Sequence, residues 1–176
     1  MTDTAARHPS TYVPSPIINA LIRDRDRPIV EMAGGKAWTG GEMLAATSRL
    51  TQALQARGVV NGARVALLAG NSVEVLLLHN AIAFAGGCLV AMHPMGSADD
   101  HLFAIEDAGV EVLLYDPAKF SKRAGELRAR TNRLKTVLLL GAGEVGDDLL
   151  ALADDGQRHR HRHRRCPDHG DGRLRA

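Results

Sequence analysis

Apolar and polar positions along the first 155 residues follow two periods in turn, and the switches between them mark a series of strands and helices. A surface lead-in, rich in Pro, Thr and charge, covers residues 1–27, with a short helix candidate at Ile17 to Arg23. Pro28–Met32 and Lys36–Thr39 then flank Gly34-Gly35 and predict a hairpin, because paired glycines accept the positive φ of a tight turn. From Glu42 to Arg57 the residues Met43, Leu44, Ala46, Leu50, Ala53 and Leu54 recur at three- and four-residue steps. This predicts a helix with one buried face, followed by Gly58 as a C-cap. Arg64 to Ala69 is apolar on both faces, as a strand covered by helices on each side must be. Asn71-Ser72 can cap the next helix, Val73 to Ala85. That helix is apolar almost all round, so it is predicted deep in a core, with His79 a satisfied core residue.

Gly86-Gly87 ends this helix, and strand Cys88–Met92, helix Ala98–Ala108, strand Val112–Tyr115, helix Ala118–Thr131 and strand Thr136–Leu140 follow. A last helix is predicted from Asp147 to Ala153. Strict alternation of β and α predicts an α/β fold: a three-layer unit with a mainly parallel sheet and right-handed crossovers.

Near Gly156 the pattern stops, and the chain continues as GQRHRHRHRRCPDHGDGRLRA. The expected organisation is a lead-in at 1–27, a domain at 28–155 and a disordered, Arg- and His-rich tail at 156–176. Seven arginines against two aspartates give the tail a formal charge of +5, while 15 basic and 18 acidic residues leave the body at −3. The basic character of the whole chain therefore belongs to its tail. An apolar fraction of 45% and a charged fraction of 24% are ordinary for a globular domain, and aromatics at 3% leave a core of Leu, Val, Ala and Ile. Cys88 and Cys166 alone provide no disulfide framework. No apolar run approaches the ~20 residues of a membrane helix and no signal core opens the chain, so a cytoplasmic location is expected.

Several local patterns together resemble the ATP-dependent adenylate-forming (AMP-binding) enzymes, and among them the acyl-CoA synthetases or fatty-acid–CoA ligases. Trp38-Thr39-Gly40-Gly41-Glu42-Met43 resembles the family's Thr-Tyr-x-Glu-Leu helix start, with Gly40 at the usual Tyr. Gly58 to Val65 is similar to G-V-x-x-G-D-R-V, with Ala63 at the usual Asp, and Asn71-Ser72-Val73-Glu74 is similar to N-S-x-E. Ala81–Gly87 with Val90–Pro94, and the run HPMGSADDHLFAIEDAGVEVLLYD, also resemble family segments. The resemblance runs from about Pro28 to Ala153 and implies the N-terminal subdomain of such an enzyme. It implies the family's reaction too: fatty acid, ATP and CoA, with Mg²⁺, give acyl-CoA through an acyl-adenylate.

None of the residues that carry the resemblance is catalytic in the family. The parts that are, namely a Ser/Thr/Gly-rich phosphate loop ending in Pro-Lys, an aromatic-Gly-x-Thr-Glu segment, a ribose-binding Asp and a lid lysine, have no counterpart here. The expectation is a truncated, catalytically empty member of the family, with no cofactor held by this chain. Its uncovered strand edges and helix faces would favour self-association. An altered reading frame after Asp155 would account for the tail.

Two rival chemistries remain. Gly141, Gly143 and Gly146 form a G-x-G-x-x-G after strand TVLLL and before the predicted helix, which could cradle a dinucleotide, although the acidic residue expected some 20 positions on falls in HRHRHRRC. His159, His161 and His163 alternate with arginines and could hold an adventitious metal ion, and the arginines could hold nucleic-acid phosphates; no specific site or partner of either kind is expected. His93 and His101 near Asp99 and Asp100 suggest acid–base work. Ser97 as a helix cap, with both acids in the first turn, is the simpler reading.

Overall fold

The computed structural model describes residues 14–33 and 35–155. Helix α1 (Pro14–Arg23) leads into a small antiparallel hairpin of β1 (Pro28–Glu31) and β2 (Ala37–Thr39). Helix α2 (Gly40–Ala56) and strand β3 (Arg64–Leu68) come next, then α3 (Val73–Phe84), β4 (Cys88–Ala91), α4 (Ala98–Ala108), β5 (Val112–Tyr115), α5 (Pro117–Arg130), β6 (Thr136–Leu139) and β7 (Asp147–Asp148). Strands β3 to β7 form one parallel sheet in the order β4-β3-β5-β6-β7.

That order places the helices. The chain steps one way from β3 to β4 and then back across β3 to β5 and β6. Right-handed crossovers therefore send the first connection to one face and the next two to the other. Val65, Leu67, Val112, Leu114 and Leu138 face a core shared with α1, α2 and α3. Ala66, Leu68, Leu113, Tyr115, Val137 and Leu139 face a second core under α4 and α5. The result is the expected three-layer unit, and the continuous apolar runs of β3, β5 and β6 follow from burial on both faces.

Three details differ from the sequence reading. The lead-in is not confined to the surface, because Leu21 of α1 is only 5% exposed and packs in the first core. Helix α3 is buried on one side only: Val73, Leu77, Leu78, Ala81 and Ile82 point inward, while Leu76 is 41% exposed and His79 is exposed rather than a core residue. An evenly apolar helix gives no periodic signal to say which side is covered. The predicted helix at Asp147 begins only at residue 149, because Asp147 and Asp148 first pair with Leu138 and Leu139 as β7. As expected, Gly58 ends α2, with φ 88° just past the cap residue Arg57 and Val59 N–H donating to Leu54 O at 3.0 Å. The tail at 156–176, Cys166 included, lies outside the described residues.

Helix α2 starts against another part of the chain. Its first amides are satisfied by the preceding loop, with Gly40 N–H donating to Arg27 O at 3.2 Å and Gly41 N–H to Arg25 O at 2.8 Å. Thr39 and Glu42 add a reciprocal capping box. On the buried side of α2 the Thr47 hydroxyl is enclosed without a hydrogen-bond partner among the described residues. Thr47→Val keeps the shape and removes an unsatisfied buried group, so it should stabilise the fold by about 1 kcal/mol. Thermal denaturation should then show Tm rising by about 3 °C.

Candidate functional site

Helices α3, α4 and α5 all begin at the carboxyl ends of the parallel strands, and their caps decide what that end presents. Ser72 Oγ accepts from Val75 N–H at 3.3 Å, Asp116 Oδ1 from Ala118 N–H at 3.0 Å, and Ser97 Oγ from Asp100 N–H at 3.0 Å. Asp100 returns the last bond, accepting from the Ser97 hydroxyl and the Ser97 N–H. Those two bonds hold its carboxyl below the usual carboxylate range. Asp99 pairs instead with Arg130 at 2.7 Å. Asp100 is thus occupied by the helix start, in line with the capping interpretation, and Asp99, also in the first turn, by an ion pair to the end of α5.

The structure does bring His93 and His101 together, through backbone and ring. His101 is 3% exposed; its Nδ1 lies 3.0 Å from Arg123 Nη1, and its Nε2 lies 2.8 Å from the His93 carbonyl oxygen. A guanidinium can only donate and a carbonyl can only accept, so Nδ1 is the bare nitrogen and Nε2 carries the proton. Both ring nitrogens are spent on structure. Arg123 also donates to Gly96 O at 2.8 Å, and His93 Nδ1 accepts from Met95 N–H at 3.1 Å, so this cluster holds the loop between β4 and α4. Arg123 has no sequence signal linking it to His101, 22 residues away.

The connections after β3 and β5 leave on opposite faces of the sheet, and an open α/β sheet forms its crevice at such a switch point. Here it is a cleft of about 340 Å³ bounded by Gly70, Asn71, Ser72, Asp116, Lys119 and Leu140. Lys119 Nζ sits 4.0 Å from Asp116 Oδ2. Beside it, the first turn of α5 and residues 140–145 enclose about 610 Å³, with Ser121, Lys122 and Glu144 at its wall.

Gly141 and Gly143 lie at this end in the loop joining β6 to β7, whereas Gly146 closes that loop beside Val137, toward the opposite end of the sheet. The loop does not deliver their amides to a helix N-terminus, because it runs into a strand. A Cβ at Gly143 would collide with Leu139 and Pro117, and one at Gly146 would collide with the Val137 carbonyl, so these two glycines serve close packing. Tyr115 anchors the same loop from below, its hydroxyl donating to Val145 O at 2.9 Å, and its burial pushes the phenol above its ordinary pKa. His159, His161 and His163 lie outside the described residues.

Residues 19–171 match the family model described as AMP-binding enzyme. The chain belongs to this family. It is 34% identical over 140 residues to a medium/long-chain-fatty-acid–CoA ligase, FadD8, of Mycobacterium tuberculosis, an alignment covering 79% of the chain and 24% of that protein. The fold also matches an amide bond synthetase, McbA, from Marinactinospora thermotolerans, with TM-score 0.67, 26% identity and coverage of 76% and 26% of the two chains. ATP-bound MatB from Rhodopseudomonas palustris matches with TM-score 0.64, 28% identity and coverage of 78% and 27%. The AMP-binding enzyme chain therefore spans about a quarter of the length of each relative. Among its described residues no helix is long and apolar enough to cross a membrane.

The residues at the carboxyl end do not by themselves suit Mg²⁺ and a triphosphate. Among the described residues no three His, Cys, Asp or Glu side chains converge, and the one cationic side chain lining the switch-point cleft, Lys119, already faces Asp116.

Proposed function

We propose that this chain supplies the N-terminal scaffold of an AMP-binding enzyme that ligates a fatty acid to CoA. In that reaction the carboxylate displaces pyrophosphate from the α-phosphate of ATP, and the CoA thiol then displaces AMP from the acyl-adenylate. The observation that carries the reading is the 34% identity to a fatty-acid–CoA ligase over 140 residues, which exceeds the 26% and 28% shared with the two solved structures.

For the 176-residue polypeptide alone we propose no ligase activity. Charge developing on a transferred phosphate needs preorganised donors, and usually a metal ion. Its eight threonines are scattered without a phosphate-loop cluster, and the donor set at the carboxyl end is the poor one described above. The purified polypeptide should show no acid-dependent ATP–pyrophosphate exchange with fatty acids from C8 to C18. Exchange that rises with any of these acids would overturn the inactive reading and leave the family standing. Reading the coding DNA in another frame after Asp155 bears on the same point: recovery of a Ser/Thr/Gly-rich loop ending in Pro-Lys would support a frameshift as the origin of the tail.

A further inference from the structure

At the amino ends of the strands, opposite the switch-point crevice, lies a hollow of about 440 Å³ walled by Arg57, Arg128, Lys135, Thr136, Gly146 and Asp147. It collects residues that are far apart in sequence: the end of α2, the last turn of α5, and the starts of β6 and β7. Three cations share its wall with one carboxylate. Arg57 pairs with Asp147 and Lys135 with Glu111, while Arg128 forms no ion pair and the Thr136 hydroxyl no hydrogen bond among the described residues.

An unpaired guanidinium beside two further cations leaves the hollow with a positive potential, which a concave wall concentrates. A guanidinium presents parallel N–H donors that match the oxygens of a phosphate, with lysine as a point charge beside it and a hydroxyl as a further donor. The volume lies in the range of small-molecule sites and exceeds what one ion needs. The wall offers charged and hydroxyl groups, with no apolar trough for a chain. We propose that this hollow binds a small, polar phosphate monoester, with the phosphate between Arg128, Arg57 and Lys135. The inference is independent of the ligase reading, since it uses the opposite end of the sheet.

The test is a ¹H–¹⁵N NMR titration of the full chain with glycerol phosphate and, in parallel, inorganic phosphate, at ionic strength held constant with chloride. Glycerol phosphate should give saturable shifts centred on Arg57, Lys135 and Gly146 and bind more tightly than inorganic phosphate. Arg128→Gln should weaken it at least fivefold and Arg128→Lys less, whereas Arg23→Gln on α1 should leave it unchanged. Arg128 is exposed, so its variants should keep the wild-type spectrum elsewhere. Equal affinity for the two ligands would make free phosphate the occupant and overturn the ester. Shifts that chloride reproduces, or that Arg128→Gln leaves intact, would overturn the site.

Discussion

Gly40→Ala is expected to destabilise the fold by about 3 kcal/mol, lowering Tm by roughly 9 °C. A Cβ at Gly40 would sit 2.5 Å from the Asp24 carbonyl oxygen and 2.6 Å from that of Leu21. Both atoms are backbone, so relief requires the end of α1 to move away from α2. That movement would withdraw Leu21 from the first core and break the bonds from Gly40 and Gly41 to the loop carbonyls. Gly41→Ala is the internal control. Its Cβ would meet the flexible Arg25 Cγ at 2.9 Å and Arg25 O at 3.0 Å, and the cost should be nearer 1 kcal/mol. Urea denaturation of the two variants checks the difference, and equal stabilities would rule out the close approach of α1 to α2. A larger side chain at Gly40 meets the same backbone atoms, so Gly40→Tyr should cost more than Gly40→Ala in the same urea denaturation.

Gly146→Ala should cost about 2–4 kcal/mol, with the loss concentrated at β7. Gly146 has φ 124°, and a Cβ there would strike the Val137 carbonyl, a backbone atom of the strand that β7 pairs with. Because β7 has only two residues, displacing it should free Leu149, which is fully buried in the first core, and open the cap that Asp148 makes to Leu150 N–H at 2.9 Å. Gly141 separates conformation from collision. Its φ is 118°, yet nothing lies within 4 Å of a Cβ there, so Gly141→Ala should cost only about 1 kcal/mol. Hydrogen exchange at Leu149 and Leu150 reads both effects, with protection lost in Gly146→Ala and largely kept in Gly141→Ala. Unchanged protection in Gly146→Ala would remove the packing explanation for this glycine.

The sequence reading was strongest where burial leaves a periodic trace. The apolar spacing of Met43, Leu44, Ala46, Leu50, Ala53 and Leu54 names the buried face of α2; five of the six are buried and Leu44 is half-buried. The run in β3 announces a strand covered on both sides, and Ser72 and Ser97 cap the helices assigned to them. It failed where the trace is even or short. Helix α3 is apolar all round, so the outward side that carries Leu76 and His79 could not be told from the inward one. Strand β7 is two residues long, below any period, and G-x-G-x-x-G followed by leucines suggests a helix start unless the pairing with β6 is known.

Local order was therefore determined by the sequence itself: the succession of elements, their caps, the alternation that demands a parallel sheet, and the resemblance that names the family. These are legible because each depends on residues within one or two turns of one another. Tertiary structure alone decided the strand order β4-β3-β5-β6-β7, the crevice between β3 and β5, the bond from His101 to Arg123, and the meeting of Arg57, Arg128 and Lys135 at the opposite end. Such meetings depend on the direction in which each crossover returns to the sheet. A local pattern of polar and apolar residues carries no energy term for that direction.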